Sequence, residues 1–133
     1  MFVLSQGLGM SLSFPDVCLT PPTAIPVPYP NIQFSATSSL TYPKVLHTCM
    51  PTVNQLTTGH ASQLDSPGVM GFGIISHRIN GDLHYILGCV ALWVGGTPAQ
   101  RLTSITAQNC MFVLPNAAGV TIVPSQLTTL ALC

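Results

Sequence analysis

Charged side chains are scarce in this chain. Lysine and arginine together number three and acidic residues also three, so 5 % of the 133 residues carry charge and the net charge is zero. An average soluble domain has about a quarter of its residues charged. The absence of any basic cluster excludes the electrostatic footprint that nucleic-acid binding requires.

The lack of charge also bears on association. A chain with no net charge and 47 % apolar residues tends to associate unless its apolar surface is covered. We therefore expect a partner protein to cover a large share of the surface. The alternative is a threonine-rich, uncharged β protein whose surface stays free.

Long apolar runs are missing as well. The longest strongly apolar stretch, residues 85–96, contains three glycines and is too short to cross a bilayer. Residues 1–13 have neither the basic region nor the small-residue cleavage site of a secretory signal peptide. We therefore expect no Sec signal peptide, so that the protein leaves its cell, if at all, by another route.

Helical periodicity is almost absent, which excludes a helical fold. Short Val/Ile/Leu/Thr-rich runs recur instead between Gly, Pro, Asn and Asp, and this pattern predicts an all-β fold of short strands and hairpins. Asn80-Gly81-Asp82 and Gly95-Gly96 are predicted hairpin turns, because these residues tolerate positive φ. The predicted strands are Ile25–Gln33, Lys44–His47, Thr52–Leu56, Val69–Ser76, His84–Val94, Gln100–Ser104, Met111–Leu114, Val120–Val123 and Thr128–Leu132.

Proline is concentrated in the segment Phe14–Ile32, which carries six of the twelve prolines. Proline fixes φ and removes a backbone donor, so this segment can be neither a helix nor a central strand. We expect Phe14–Cys18 to form a loop and Ile25–Ile32 to run from it as a stiffened, extended strand.

An internal repeat links two distant segments. Lys44–His60 and Ala91–Cys110 each read as a short apolar strand, a tight turn, a proline, a second short strand and a polar loop. Pro51 aligns with Pro98. With Asp16–Cys18 as a third loop, the chain divides into three units of this kind. The alternative is that two short hairpins resemble each other by chance.

Cysteine pairs of the CxxC type are absent, and five cysteines are an odd number for a disulfide framework. We expect Cys49 and Cys89, which lie in apolar runs, to be buried free thiols. Nucleophile elbows, Walker loops and HExxH motifs are also absent. Asp16 and Asp82 are interpreted as turn-capping residues, and the chain is predicted not to be an enzyme.

Six segments in order resemble the PAAR-like domain family, from about Gly9 to Val123. They read GMSLSFPDVCLTPP, PVPYPNI, KVLHTCMPTVN, SPGVMGFGIIS, ALWVGGTPAQRL and PNAAGVTIVPSQ. The resemblance implies a single tip domain over residues 1–133, with a lead-in at 1–13, a core at 14–123 and a C-terminal strand at 124–133.

The implied function is structural. Such a domain is a small cone whose broad base caps a trimeric β-helical, VgrG-like spike, one chain per trimer, in type VI secretion systems, extracellular injection particles and phage tails. Its narrow end leads membrane puncture, and it can carry effector proteins. The resemblance therefore implies a protein that is cytoplasmic before assembly and then ends outside the cell as part of the injection apparatus or particle.

Relatives with the standard PAAR sequence hold zinc near the apex through three histidines and one cysteine. Here the repeat brings Cys18, His60 and Cys110 into comparable loops, and these are the predicted ligands for zinc or iron. His47, His77 and His84 fit less well. The alternative is an exposed His60 with two buried thiols.

The contacts with the spike are expected from apolar strand residues, namely Val45, Ile74, Trp93 and Val94. Two other functions remain open. One is a small β-barrel that binds an apolar ligand between Trp93 and Tyr85, and the other is a delivered effector enzyme.

Overall fold

The computed structural model describes all 133 residues and contains eleven β-strands. Its one helical segment is a single 3-10 turn, Ser35–Thr37, so no helix of the chain is long enough to cross a membrane. The all-β prediction is confirmed. The strands are β1 Met10–Thr20, β2 Ile25–Phe34, β3 Ser38–Ser39, β4 Tyr42–His47, β5 Met50–Thr52, β6 Thr58–Gly59, β7 Asp82–Leu87, β8 Cys89–Val94, β9 Thr97–Ala99, β10 Ile105–Cys110 and β11 Ala117–Val123.

Seven strands form one antiparallel sheet in the order β2-β1-β11-β10-β7-β6-β3. The first and last of these, β2 and β3, are consecutive segments joined only by the Ser35–Thr37 turn, so the sheet returns to its starting point. Three strand pairs follow one another around this closed sheet: β1 with β2, β10 with β11, and β6 with β7. Such closure leaves few free strand edges.

The interior of the sheet is unusually polar. Ser11, Ser13, Gln33, Thr106 and Gln108 are all buried. A dense polar interior requires internal hydrogen bonds. The Ser11 and Thr121 hydroxyls, for example, lie 2.9 Å apart. Because the short polar side chains face inward, many large apolar side chains are left on the outer surface.

Three chain segments, 2–6, 51–55 and 98–102, meet at one end of the sheet in a cyclic arrangement. The N–H of Leu4 donates to the carbonyl of Gln100 (2.8 Å), that of Gln100 to Val53 (3.0 Å), and that of Val53 to Leu4 (3.0 Å). A second layer of backbone hydrogen bonds repeats this cycle. In it the N–H of Gln6 donates to the carbonyl of Pro51, that of Gln55 to Pro98, and that of Leu102 to Phe2. These bonds define a pseudo-threefold axis through buried side chains.

Two hairpins continue from this ring. β4 and β5 meet at the pair His47 and Met50, and β8 and β9 at Val94 and Thr97. Both turns have two central residues at positive φ, as right-handed strand twist favours. The predicted Gly95-Gly96 turn is therefore present, and glycine also suits it because the Tyr42 ring packs against Gly95.

The third hairpin is divided between the two chain ends. Phe2 pairs with Leu130 as Pro51 pairs with Leu46 in the first hairpin. The N–H of Ala131 donates to the carbonyl of Met1 (2.7 Å), where the other two hairpins have their turns. The predicted alignment of Pro51 with Pro98 thus holds. The third copy, however, is formed by the chain ends and not by Asp16–Cys18, because that segment lies within β1.

Several local predictions differ from the structure. Phe14–Cys18 is part of β1 instead of a loop, since Pro15 falls where the pairing of β1 with β2 shifts register. Ile25–Ile32 is the predicted stiffened strand, β2. Residues 105–110 form β10 although their polar sequence reads as a loop, because that strand faces the polar interior. Asn80-Gly81 precedes β7 without closing a hairpin.

The remaining predicted strands fall into three groups. Those at 44–47 and 120–123 are present, whereas the one at 52–56 keeps only Thr52, and the one at 84–94 is divided at Gly88. The predicted strands at 69–76, 100–104, 111–114 and 128–132 are turns or extended segments outside the named strands.

The cysteine predictions also need correction. Cys89 is bonded to Cys133, with their Cα atoms 5.8 Å apart, and Cys49 is exposed at the β4–β5 turn. Sequence spacing cannot reveal this pair, because 44 residues separate its members. The disulfide ties the C-terminal segment of the divided hairpin to β8.

Loss of this disulfide is expected to destabilise the fold. In Cys133→Ser the unfolded chain gains loop freedom, so the free energy of unfolding falls by about 3 kcal/mol and the melting temperature by roughly 10 °C. Thermal unfolding followed by circular dichroism measures both. The matched control Cys49→Ser changes stability by less than about 0.5 kcal/mol. Equal melting temperatures for Cys133→Ser and the parent would show that the Cys89–Cys133 disulfide does not stabilise the fold.

Candidate functional site

The end of the molecule that carries the three hairpins, here called the hairpin end, presents apolar side chains in threefold-related positions. The three positions are equivalent by strand pairing: Leu46 on β4 pairs with Pro51, Trp93 on β8 with Pro98, and Leu130 in the divided hairpin with Phe2. Between 57 % and 60 % of each side chain is exposed. Apolar surface of this regularity is typical of a protein contact.

The predicted spike-contact residues do not all lie together. Val45 and Trp93 are exposed at the hairpin end. Val94 is buried, and its carbonyl accepts a hydrogen bond from Asn54 Nδ2 (3.2 Å), so its side chain is part of the interior. Ile74 lies elsewhere, in the loop that packs on β1, where its N–H donates to the carbonyl of Val17 (3.2 Å). Leu46 and Leu130 were missed because only the strand pairing reveals their equivalence to Trp93.

The opposite end, here called the distal end, consists of the β1–β2 turn with residues 65–78 and 111–116. Asn116 joins these parts. Its Nδ2 donates to Asp16 and to the carbonyl of Val17, and its Oδ1 accepts from the N–H of Ile75 (2.8 Å). One amide therefore joins β1, the 65–78 segment and its own 111–116 segment.

Two carboxylates are fully buried beneath the distal end, Asp16 and Asp65. Asp16 accepts a hydrogen bond from Asn31 Nδ2 (2.7 Å), and Asp65 accepts one from the N–H of Asn80 (3.0 Å). Burial raises the pKa of Asp65, and the nearby Asp16 raises it further.

Cys18 and Cys110 are buried thiols. Burial first, and then the carboxylate of Asp16, raise the pKa of Cys18 to about 12. Burial likewise raises the pKa of Cys110 to about 11, and its Sγ donates to the carbonyl of Ala107 (3.3 Å). Both thiols stay protonated near neutral pH, whereas metal binding and nucleophilic attack need a thiolate.

The predicted zinc ligands do not converge. His60 lies on the outer surface, where its two ring nitrogens contact Ser39 and Asp82. Cys18 is buried beside Asp16, and Cys110 is buried on β10. No group of three His, Cys, Asp or Glu side chains is arranged to hold a metal ion. These residues therefore do not fit a tetrahedral zinc site. Bound zinc or iron stays a prediction that elemental analysis of the purified protein can test.

A cavity of about 370 Å³ opens on the outer face of β7 and β10. It lies close to His60, since Asp82 on β7, which contacts His60, pairs with the cavity residue Cys110 on β10. Trp93 and Tyr85, expected to line an apolar pocket, are not part of it, since Tyr85 is buried inside the sheet. The lining residues are His84, Ile86, Ala107, Cys110, Phe112, Val113 and Pro115.

The buried Asp65 makes stability depend on pH. Its folded-state pKa is raised above 3.8, so its contribution is fully present below pH 3.8 and is lost as the pH rises through the folded value. We expect Asp65→Asn, which removes this charge, to be more stable than the parent at pH 7. The difference in the free energy of unfolding between the two proteins should disappear near pH 4.

Urea denaturation of both proteins at pH 4 and pH 7 measures this difference. Burial lowers the pKa of His47, which costs stability as the pH falls below 6.5. That loss occurs in both proteins and cancels in the comparison. A stability gap between the two proteins that is independent of pH would contradict the assignment.

Comparison with known proteins yields one match. A family described as the toxin PAAR-like domain matches residues 9–114. No curated protein and no solved structure matches the chain.

Proposed function

The chain belongs to the toxin PAAR-like domain family, and from this premise we propose that it caps the blunt end of a trimeric β-helical spike. Membership of the family associates the chain with spike and effector proteins related to type VI secretion. The capping role, its partner and its surface are our proposal.

The observation that carries this proposal is the cyclic hydrogen-bonded ring at the hairpin end. A trimeric β-helix ends in three equivalent sets of unpaired backbone groups, and one asymmetric chain can match only one of them well. The ring of Leu4, Val53 and Gln100 gives this single chain three nearly equivalent sectors. One chain can then contact all three spike subunits in the same way.

The apolar side chains of the hairpin end supply the driving force. Trp93, Leu46 and Leu130 extend from the three sectors, and burying each apolar side chain contributes about 1.5–3 kcal/mol. Tryptophan is the residue type most often found at the energetic centre of an interface. The scarcity of charge suits such a contact, since few ionic groups lose their hydration on docking.

The distal end suits the leading position. Val69, Met70, Phe112 and Val113 are each between 81 % and 87 % exposed there. Apolar loop tips of this kind can enter a lipid surface, and the Asn116 contacts that join β1 with the 65–78 and 111–116 segments resist their separation. We propose that this end meets the target membrane during puncture, after a cytoplasmic assembly step.

Substitution of Trp93 tests the docking surface. In Trp93→Asp a charge faces an apolar contact, so we expect the dissociation constant for the trimeric spike protein to rise at least about 30-fold. Analytical ultracentrifugation of the mixture measures it, together with the expected stoichiometry of one chain per trimer. Leu46→Asp and Leu130→Asp should act in the same direction.

Val69→Asp at the distal end is the matched control, because it introduces the same charge at an equally apolar, exposed position. It should leave spike binding unchanged. Loss of binding in Val69→Asp with full binding in Trp93→Asp would reverse the assignment of the two ends.

A further inference from the structure

Three polar side chains on adjacent strands form a continuous hydrogen-bonded row. Ser39 Oγ lies 2.6 Å from His60 Nε2, and His60 Nδ1 lies 3.0 Å from Asp82 Oδ1. Ser39 is on β3, His60 directly follows β6, and Asp82 begins β7. The serine, imidazole and carboxylate therefore stand in the order and at the distances of an acyl-transfer triad.

We propose that Ser39, His60 and Asp82 form a hydrolytic site for carboxylic esters with an apolar acyl group. This activity is separate from spike docking, because these residues lie on the outer face of the sheet. It departs from the expectation that the chain is not an enzyme. The residues are far apart in sequence, and the pairing of β6 with both β3 and β7 brings them together.

The backbone holds each member of the row in place. Ser39 is paired with Thr58 in the sheet, and the adjacent N–H of His60 donates to the carbonyl of Thr37 (3.3 Å). The second carboxylate oxygen of Asp82 faces the Arg78 guanidinium at 3.9 Å. Asp82 can thus orient the imidazole through one oxygen while the other stays charge-paired.

A donor for the developing oxyanion stands next to the serine. The N–H of Leu40 makes no hydrogen bond within the chain, and Leu40 has a φ of 58°. In serine hydrolases of the nucleophile-elbow type, the N–H of the residue after the serine is one of the oxyanion donors. Positive φ is uncommon for leucine and is found at functional turns.

The nearby cavity sets the class of substrate. His84 and Ile86, which line it, lie on the same face of β7 as Asp82, because strand side chains alternate between faces. Five of the seven lining residues are hydrophobic. A cavity of about 370 Å³ accommodates a medium-length acyl chain.

The proposed reaction is ester hydrolysis through an acyl-serine, with water as the co-substrate. Ser39 Oγ attacks the ester carbonyl carbon while His60 Nε2 takes its proton. The C–O bond to the alcohol then breaks, and His60 returns the proton to the leaving oxygen. Water next attacks the acyl-serine with His60 again as the base, which releases the carboxylic acid and restores Ser39.

The test uses the isolated full chain, without a spike, and p-nitrophenyl esters of butyrate and octanoate. We expect hydrolysis above the buffer rate, faster for octanoate, and covalent labelling of Ser39 by a fluorophosphonate probe. Ser39→Ala and His60→Ala should each lower the rate at least about 100-fold and abolish labelling. Peptide mass spectrometry identifies the labelled residue.

Controls separate catalysis from folding. Ser66→Ala and His77→Ala change exposed residues outside the row and should keep the parent rate. Asp82→Asn, as a positioning variant, should lower kcat with KM unchanged, and Asp82→Glu should restore part of the rate. Melting temperatures confirm that each variant is folded.

Two results would overturn the proposal. One is hydrolysis by the parent no faster than by folded Ser39→Ala, and the other is labelling at a different residue. Neither result affects spike docking, which is measured by binding alone.

Discussion

The hydrogen-bonded ring of Leu4, Val53 and Gln100 is the constraint on which the rest of the structure depends. Each residue donates to one neighbour and accepts from the other, so no segment can leave without breaking two bonds. The ring brings the N-terminal segment 2–6, the β4–β5 hairpin and the β8–β9 hairpin to one axis. Every later strand pair is then placed in one of three sectors, and the sheet closes because β2 and β3 are joined by a short turn.

Closure has an energetic consequence for the surface. Because Ser, Thr, Asn and Gln face the interior, the apolar residues face outward at both ends and along the outer face. Many large apolar side chains therefore stay exposed after folding, and this surface is available for contacts. At the hairpin end, Leu46, Trp93 and Leu130 follow the threefold pattern. At the distal end, Val69 and Phe112 lie on loops.

Much of the fold could be predicted from local patterns. Pro26, Pro28 and Pro30 require an extended edge strand, and the structure has β2 at the end of the strand order. The positive-φ turn at Gly95-Gly96 followed from glycine alone. The repeat could not show whether Cys18, His60 and Cys110 meet, since it aligned loops by composition. Cys18 and Cys110 lie within β1 and β10 and are buried, whereas His60 is exposed on the outer surface.

The sequence by itself determined the all-β class, the proline-stiffened strand, the Gly95-Gly96 hairpin turn and the family of the chain. Each of these depends on the residue's own backbone preference or on a short run of neighbours. The tertiary structure decided which residues meet. It joined the two chain ends into the third hairpin, paired Cys89 with Cys133, and aligned Ser39, His60 and Asp82 across three strands. Those contacts depend on strand order and register, which are long-range properties that no local pattern encodes.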